Sequence, residues 1–511
     1  MSSKGAMSST GSGGSTGVLR PRQLLVDSMR PVDAASVTFF RVSFAALMVA
    51  WAWNYLASGR VTDLYVSPQF HFTYAGFQWL QPWPGDGMYW HFIGLMGLAL
   101  MILCGCFYRT AALLFAIGFS YVFLLERTNY QNHYYLVLLI SWMLPWLPLN
   151  RMLSVDAIRK PALQSSTVPA WVLTLLRFQI AIPYIYGGIA KWTPDWILGQ
   201  PMEMFLSTKG DLPIVGGWLA TPGVGLLMSW SGMIFDLAIV PALLIRRTRP
   251  YAFVLCIAFH VTNSILFSIH VFPWLMIAAS TLFFTPAWPR RLLSAPQLDV
   301  ANHSSWRGSR RQWTAVVAIL VFAVFQISWP LRSRLNQEPT SWSERGHLFS
   351  WRMMLRAKEV GIGFAVFDPA TQAVANVDHK QFLSREQSEK FARDPQLVLQ
   401  MAHFIADKFE QEMGRRPQVH AFVLASLNGR KPQLMLDPNQ DLASVSASTL
   451  MSSGCLLSLS EPLRSPAWDV PISQWREHIE LPEMKFLQPH SREVQTVDLT
   501  GTYSSPFNQE P

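Results

Sequence analysis

The sequence predicts an α-helical multispan membrane domain of about eight or nine spans, followed by an extracytoplasmic α+β domain. Half of the 511 residues are apolar and only 14% are charged, a composition that excludes a disordered chain. Apolar segments of helical length follow one another as far as residue 330, and beyond it the composition becomes that of a soluble domain. Lysine and arginine collect in every second loop between these segments, as in multispan membrane proteins.

Nine apolar segments are candidate membrane spans. A simple helical span needs roughly 20 residues, and several of these segments are shorter, so we expect eight or nine spans. The doubtful segment is 272–287, because it follows its predecessor with almost no loop and carries Pro273. The candidates are 36–57, 87–104, 110–126, 132–149, 169–190, 222–245, 250–270, 272–287 and 312–330.

Basic residues mark one side of this predicted membrane domain. By the positive-inside rule, we expect the N-terminus and loop 290–311 in the cytoplasm, with loop 192–221 and residues 331–511 outside it. The chain is then a multi-pass protein of the cell (inner) membrane, and its formal net charge of +9 reflects topology. A nucleic-acid partner is disfavoured, because no basic patch with base-reading residues is present.

Composition divides the chain into four regions. Residues 1–30 are predicted to be a disordered cytoplasmic tail, since their first part is rich in Ser and Gly and lacks the apolar core of a signal peptide. Residues 31–335 form the transmembrane domain and residues 336–461 the α+β domain. Residues 462–511 are predicted to be a polar, Pro-rich tail.

Within the α+β domain, the residue patterns predict three strands and one helix. Residues 360–367 and 419–427 are apolar at strand length, and 433–436 is a third candidate. Residues 394–413 have helical spacing, with Asp394 and a following proline as the start signal.

The chain has four cysteines, and they predict neither a disulfide framework nor a metal site. Cys104 and Cys106 lie at a span end, Cys256 lies inside a span, and Cys455 belongs to the α+β domain.

Lys191 is the ionisable residue that most needs an explanation. It ends a long apolar segment after two glycines. Burial beside lipid disfavours an ammonium ion, and a neutral amine is a base. The alternative is a structural lysine whose side chain reaches the headgroups.

Other polar residues are expected at the same membrane level as Lys191. His133 begins a span on the outer side, and His260 and Asn263 share one face of a later span. The segment 342–354, which includes His347, emerges on that side. Each residue alone has a structural explanation, but their convergence predicts an outward-facing active site.

Arg177 and Asp236 are predicted to form a buried structural ion pair. Counted from the inner ends of their spans, they lie at similar depth on consecutive antiparallel helices. An unpaired charge there would cost several kcal/mol. The sequence holds no Walker A loop, dinucleotide-binding glycine motif, HExxH or GxSxG.

A series of motifs, in order along the chain, carries a resemblance to a known family. The chain is similar to a bacterial member of the vitamin K-dependent gamma-carboxylase family, with its HTTM-type membrane domain. The motifs include Arg30-Pro-Val-Asp33, Trp79-Leu-Gln-Pro82, Asn132-His133-Tyr-Tyr135, Gly188-Ile-Ala-Lys191, Phe259-His260-x-x-Asn263, Trp288-Pro289-Arg290, Phe349-Ser350-Trp351-x-Met353-Met354 and Asp437-Pro438.

The resemblance implies gamma-carboxylation of peptidyl glutamate coupled to quinol epoxidation. Lys191 matches the lysine that deprotonates reduced vitamin K or a menaquinol, after which O2 generates a stronger base and CO2 is added to the glutamate. The partners would be the lipid-soluble quinol and a glutamate-containing secreted peptide or protein. No metal is implied.

The resemblance also implies roles for the other candidate residues. His133 matches a functional histidine, so the catalytic residues would be Lys191 and His133. The residues expected to bind the quinol are Asn132, His260 and Asn263. Those expected to bind the peptide are His347, Ser350, Trp351 and Arg352.

Two departures from the family pattern leave alternatives open. Arg352 and Arg356 replace residues of the peptide-binding stretch in animal enzymes, and the cysteines that join the two parts of those enzymes have no counterpart. One alternative is a quinone-binding protein of the same fold that oxygenates the quinol or acts on another substrate. A transporter is disfavoured, because the charged groups gather on one side.

Overall fold

The computed structural model describes residues 21–267, 269–292, 307–452 and 454–480. Most of the predicted N-terminal tail, part of the loop 290–311 and the end of the predicted C-terminal tail lie outside these residues.

The first part of the described chain is helical, as predicted. Seven of its helices are long and apolar enough to cross a membrane. They are α2 (Ala35–Ala57), α3 (Gly87–Cys104), α4 (Tyr108–Leu125), α7 (Ala170–Ala190), α11 (Val224–Leu244), α12 (Arg249–Phe267) and α15 (Arg310–Ser328).

The other two predicted spans are shorter helices. They are α5 (Asn132–Met143) and α13 (Phe272–Ser280), and each continues into a 3-10 turn, Leu144–Trp146 and Thr281–Phe283. Pro273 lies in the first turn of α13, where a missing N–H breaks no helical hydrogen bond.

Contacts with the C-terminal domain place the helix ends on two faces. Arg127, after α4, pairs with Asp394 of that domain, and Asp195, after α7, pairs with Arg430. Both helices therefore end on the same face, which we call the domain face. Since α4 ends there and α7 returns there, the chain must cross to the opposite face through α5 and its 3-10 turn.

Short elements connect the long helices. A two-stranded antiparallel ribbon lies on the opposite face, with β1 (Pro31–Asp33) beside β2 (Thr167–Pro169). The short helices are α1 (Pro21–Ser28), α6 (Val155–Arg159), α8 (Pro194–Ile197), α9 (Met202–Ser207), α10 (Gly216–Leu219), α14 (Trp288–Leu292) and α16 (Thr340–Ser343). Helix α1 falls in the region that was predicted to be disordered. It contacts α7. The predicted boundary of disorder at residue 30 is therefore wrong.

The C-terminal domain is a four-stranded antiparallel sheet with helices, in strand order β4-β3-β5-β6. Its strands are β3 (Lys358–Asp368), β4 (Ala373–Val377), β5 (Gln418–Leu427) and β6 (Gln433–Leu434). Its helices are α17 (Arg385–Lys390), α18 (Pro395–Met413), α19 (Ala447–Leu450) and α20 (Trp475–His478). The three predicted strands and the predicted helix are present, and β4 was missed.

Alternation along the strands explains the core of this domain. Phe364 and Val366 of β3 and Val423 of β5 point to the face that packs on α18. Helix α18 begins at the N-cap Asp394, whose side chain accepts a hydrogen bond from Gln396 N, and ends at Gly414 with a positive φ.

The predicted C-terminal tail begins as part of this domain. Trp475 is fully buried against the other face of the sheet, with Ala365 and Phe422. Small residues on this face of β3 leave room for the indole, so part of the predicted polar, Pro-rich tail packs on the sheet.

Candidate functional site

Lys191 lies at the C-cap of α7, and its amine forms a buried ion pair. Its Nζ is 2.5 Å from Oδ2 of Asp236 on α11, and both side chains are almost fully buried. Nζ also lies 5.2 Å from the centroid of the Trp196 ring. This burial contradicts the alternative in which the side chain of Lys191 reaches the headgroups.

Two glycines allow this pairing. A Cβ at Gly188 would lie 2.6 Å from Cδ2 of Leu237, and a Cβ at Gly187 would lie 3.1 Å from Oδ2 of Asp236. Helices α7 and α11 therefore approach closely at the Lys191 end. Asp236 lies about 18 Å below the first residue of α11, at ~1.5 Å per residue. Helix α11 thus extends well beyond the end of α7.

The loop after Lys191 fills the space above it. Thr193 is the N-cap of α8, and Pro194 occupies its first turn. The fully buried Trp196 donates a hydrogen bond from Nε1 to the carbonyl oxygen of Ser229, at 2.7 Å. On the domain side, Arg430 holds Asp195 with two hydrogen bonds of 2.7 Å.

The predicted Arg177–Asp236 ion pair is wrong. Arg177 donates instead to the carbonyl oxygens of Leu282 and Phe284, at 2.7 and 3.0 Å. These carbonyls are free because the 3-10 turn after α13 ends there. The prediction compared depths from the helix ends, and α11 and α7 do not end at the same level.

A cavity of about 640 Å³ opens beside the Lys191–Asp236 pair. Its walls are mostly apolar and aromatic, and its size falls in the range of ligand-binding cavities. Among its lining residues are Tyr184, Lys191, Phe235, Asp236, Phe259, His260, Asn263, Phe272, Met353 and Met354. The structure thus places His260 and Asn263 with Lys191, as predicted from the sequence.

His260 belongs to a small polar network on the cavity wall. Its Nε2 is 2.7 Å from the hydroxyl of Tyr184, which also lies 3.4 Å from Ser280 Oγ and 3.5 Å from Cys256 Sγ. The Nδ1 of His260 is buried without a hydrogen-bond partner in the described structure. Sequence reasoning missed Tyr184, although it precedes Lys191 by two helical turns and so lies on the same face.

His133 does not line this cavity. Its ring centroid lies 5.8 Å from that of Phe272, and Phe272 is also 5.8 Å from His260. Phe272 therefore contacts both imidazoles. His133 is buried, and within the described residues its Nε2 has no hydrogen-bond partner.

Asn132 joins the membrane domain to the C-terminal domain. Its Nδ2 donates to the carbonyl oxygen of Arg352 at 3.2 Å, and its Oδ1 accepts from the hydroxyl of Tyr130 at 3.2 Å. Asn132 does not line the cavity, so the structure places it away from the predicted quinol site.

The predicted peptide-binding segment reaches the cavity through two methionines. Ser350 and Trp351 are buried and do not line it, whereas Met353 and Met354 do. Trp351 packs against Tyr135 of α5, with ring centroids 4.9 Å apart. Positive φ angles at Trp351 and Met354 (56° and 60°) give the segment the tight bends that bring the methionines to the cavity.

The remaining two predicted residues lie away from this cavity. Arg352 donates to Ser341 Oγ at 3.3 Å, and burial lowers its pKa to about 10. His347 lies 3.9 Å from Glu344, and burial lowers its pKa to about 3, so it is neutral at pH 7. In the part of the chain that the structure describes, no cluster of His, Cys, Asp or Glu side chains is suited to holding a metal ion.

This arrangement supports proton transfer in a dry site. Lys191 Nζ donates a hydrogen bond to Asp236 Oδ2 inside the protein, so a proton can pass between the two side chains without a solvent molecule. Apolar walls exclude water and strengthen the electrostatic interactions inside the cavity.

Two family models match the chain. The HTTM domain matches residues 29–288, and the lumenal domain of vitamin K-dependent gamma-carboxylase matches residues 311–461. The first match includes the Lys191–Asp236 pair, and the second includes Met353 and Met354. No solved structure matches the chain.

Proposed function

Since the chain belongs to the vitamin K-dependent gamma-carboxylase family, we propose that it carboxylates the γ-carbon of glutamate in a polypeptide and couples this step to epoxidation of a quinol. The cosubstrates would be reduced vitamin K or a menaquinol, with O2 and CO2. The observation that carries the proposal is the buried Lys191–Asp236 pair at an apolar cavity that the C-terminal domain helps to close.

The cavity residues fit a reduced quinone. Phe235 and Phe259 present stacked rings, 3.8 Å between centroids, to a flat aromatic ligand. The Lys191–Asp236 pair is the polar group proposed to meet its hydroxyls, and His260 lies on the same cavity wall. When bound, a reduced quinone supplies, together with O2, the strong base that removes the γ-proton of glutamate.

The chain's own contribution is proton transfer and exclusion of water. Lys191 is the proposed acceptor of the first proton: its ammonium ion, which Asp236 stabilises in the resting pair, first releases a proton, and the amine then takes one from the ligand. Tyr184 orients the His260 ring on the cavity wall through the 2.7 Å hydrogen bond to Nε2. The sequence predicted Lys191 as the base without a partner, and the structure adds Asp236 as the residue paired with it.

The polypeptide substrate is proposed to enter from the domain face. Met353 and Met354 form the boundary between the cavity and the C-terminal domain, and Arg352 precedes them. Ser350 and Trp351 would act by holding this segment against α5. The distribution of basic residues supports a cytoplasmic N-terminus and an extracytoplasmic C-terminal domain in the cell membrane.

The test measures two products of one reaction. Purified protein receives a glutamate-containing peptide, reduced quinone, O2 and labelled bicarbonate, and we expect labelled peptide and quinone epoxide together. Lys191→Ala should abolish both products. Lys209→Ala is the matched control, because Lys209 lies in the same loop and does not line the cavity. Absence of both products from the unsubstituted protein would refute the proposal.

The alternative function would give a different result. A protein of this fold that only oxygenates the quinol would form epoxide without labelled peptide. The burial of Ser350 and Trp351 away from the cavity is the observation that favours this alternative.

A further inference from the structure

A small void borders the Lys191 cavity at Phe272. Its volume is about 10 Å³, which is enough for one small molecule. Phe272 lines both this void and the Lys191 cavity, so its side chain belongs to the wall that they share. We call this space the Phe272 void. Helices α2, α4 and α5 supply most of its other walls, among them Trp51, Phe119, His133, Tyr134 and Val137.

The lining of the Phe272 void is almost entirely apolar. Apart from His133, its side chains are aliphatic, aromatic or thioether groups. The hydroxyl of Tyr134 lies 2.9 Å from that of Tyr55, so it is already hydrogen-bonded. Val137 and Leu275 contribute buried aliphatic side chains. Apolar voids of this kind stay free of water and bind apolar gases such as xenon.

A second void continues from the Phe272 void toward the domain face, and its volume is also about 10 Å³. Trp51, Phe119 and Tyr134 line both voids, with ring centroids 5.1, 6.2 and 6.4 Å apart. The second void also borders Val122 and Asn129, which follow Phe119 along α4 and the loop after it. The two voids and the cavity therefore form a series with aromatic side chains at each boundary.

This series suits the gas that reacts with the quinol. In the proposed reaction O2 must reach the quinol ring inside the Lys191 cavity, whereas CO2 is added to a glutamate that enters from the domain face. A bound quinol occupies the cavity, so a separate approach for O2 avoids competition for that space. O2 is small and apolar, as the Phe272 void requires. A rotamer change of Phe272 would connect the void with the cavity.

We propose that the Phe272 void is a binding site for O2 on its way to the quinol, with the Phe272 side chain as the boundary that O2 crosses. This inference rests on the proposed function and adds to it a site for one cosubstrate. The quinol and the polypeptide are both too large to enter this void.

Filling the void with one extra carbon provides the kinetic test. Val137→Ile should raise the KM for O2 in epoxide formation about fivefold, because a filled void no longer holds the gas. The kcat at saturating O2 and the KM for the quinol should stay unchanged. Val172→Ile is the matched control, since Val172 is fully buried in the same core and lines neither the voids nor the cavity.

Xenon binding provides a second test that does not depend on turnover. Crystals of the full-length protein under xenon pressure should hold xenon in the Phe272 void, and so should crystals of Val172→Ile. Val137→Ile should hold none there, whereas Leu275→Ala enlarges the void and should increase the xenon occupancy.

Several results would overturn the inference. One is a Phe272 void without xenon in the unsubstituted protein, and another is an equal KM for O2 in Val137→Ile and Val172→Ile. A raised KM for CO2 with an unchanged KM for O2 would assign the void to the other gas. Xenon in the void, with neither epoxide nor labelled peptide formed, would refute the proposed function and sustain the void as a site for a small apolar gas.

Discussion

Removing the charge of Asp236 should destabilise the protein by stranding the ammonium ion of Lys191. Asp236→Asn keeps the shape of the side chain and one hydrogen-bond acceptor. Breaking a buried ion pair from one side costs about 3–5 kcal/mol. Neutralising an ordinary lysine at pH 7 costs about 4.6 kcal/mol, so the loss of folding free energy in the variant should not exceed this value. Because the amide oxygen still accepts a hydrogen bond, we expect a loss near 3 kcal/mol.

The pH dependence of this loss identifies its cause. If the folded variant holds Lys191 neutral, its unfolded state binds one more proton, and its stability rises with pH. The deficit relative to the unsubstituted protein should shrink by about 1.4 kcal/mol per pH unit between pH 7 and 9. Tm measured from tryptophan fluorescence in detergent at pH 7, 8 and 9 follows this change.

A second variant separates the ion pair from the shape of the site. Lys191→Met combined with Asp236→Asn removes both charges and should melt closer to the unsubstituted protein than Asp236→Asn does. The reasoning is refuted if Asp236→Asn melts normally at pH 7, or if its deficit is the same at pH 7 and 9.

Three further predictions concern catalysis, domain docking and topology. Lys191→Ala should abolish epoxide and carboxylated peptide together, and a small amine should restore part of both in proportion to its free-base fraction; normal epoxide formation would contradict the role of Lys191. Arg430→Ala should break both hydrogen bonds to Asp195 and cost about 1–3 kcal/mol. Faster hydrogen exchange in residues 192–198 should follow, and unchanged exchange would show that the contact is unimportant. A cysteine at the exposed Arg345 should react with a membrane-impermeant reagent added outside intact cells, and labelling only after lysis would reverse the proposed topology.

Local sequence patterns determined much of the secondary structure of this protein. Apolar segments of helical length are enough to predict spans, because a span must bury its polar backbone within itself whatever surrounds it. Strands such as 360–367 were predictable for a similar reason, since alternation records which face packs on the core. Strand β4 was missed because Ala373–Val377 is short and weakly patterned, and it is specified by pairing with β3.

The partner of each charged residue was decided by tertiary structure. Lys191, Arg177 and Asp236 could all be recognised from the sequence as costly charges in a membrane. Sequence spacing, however, gives the depth of a residue in the membrane only if the ends of neighbouring helices lie at the same level. Gly187 and Gly188 set the approach of α7 and α11 and so bring Lys191, not Arg177, to Asp236. An ion pair depends on separations of a few ångströms between helices distant in sequence, and only the packed structure fixes those separations.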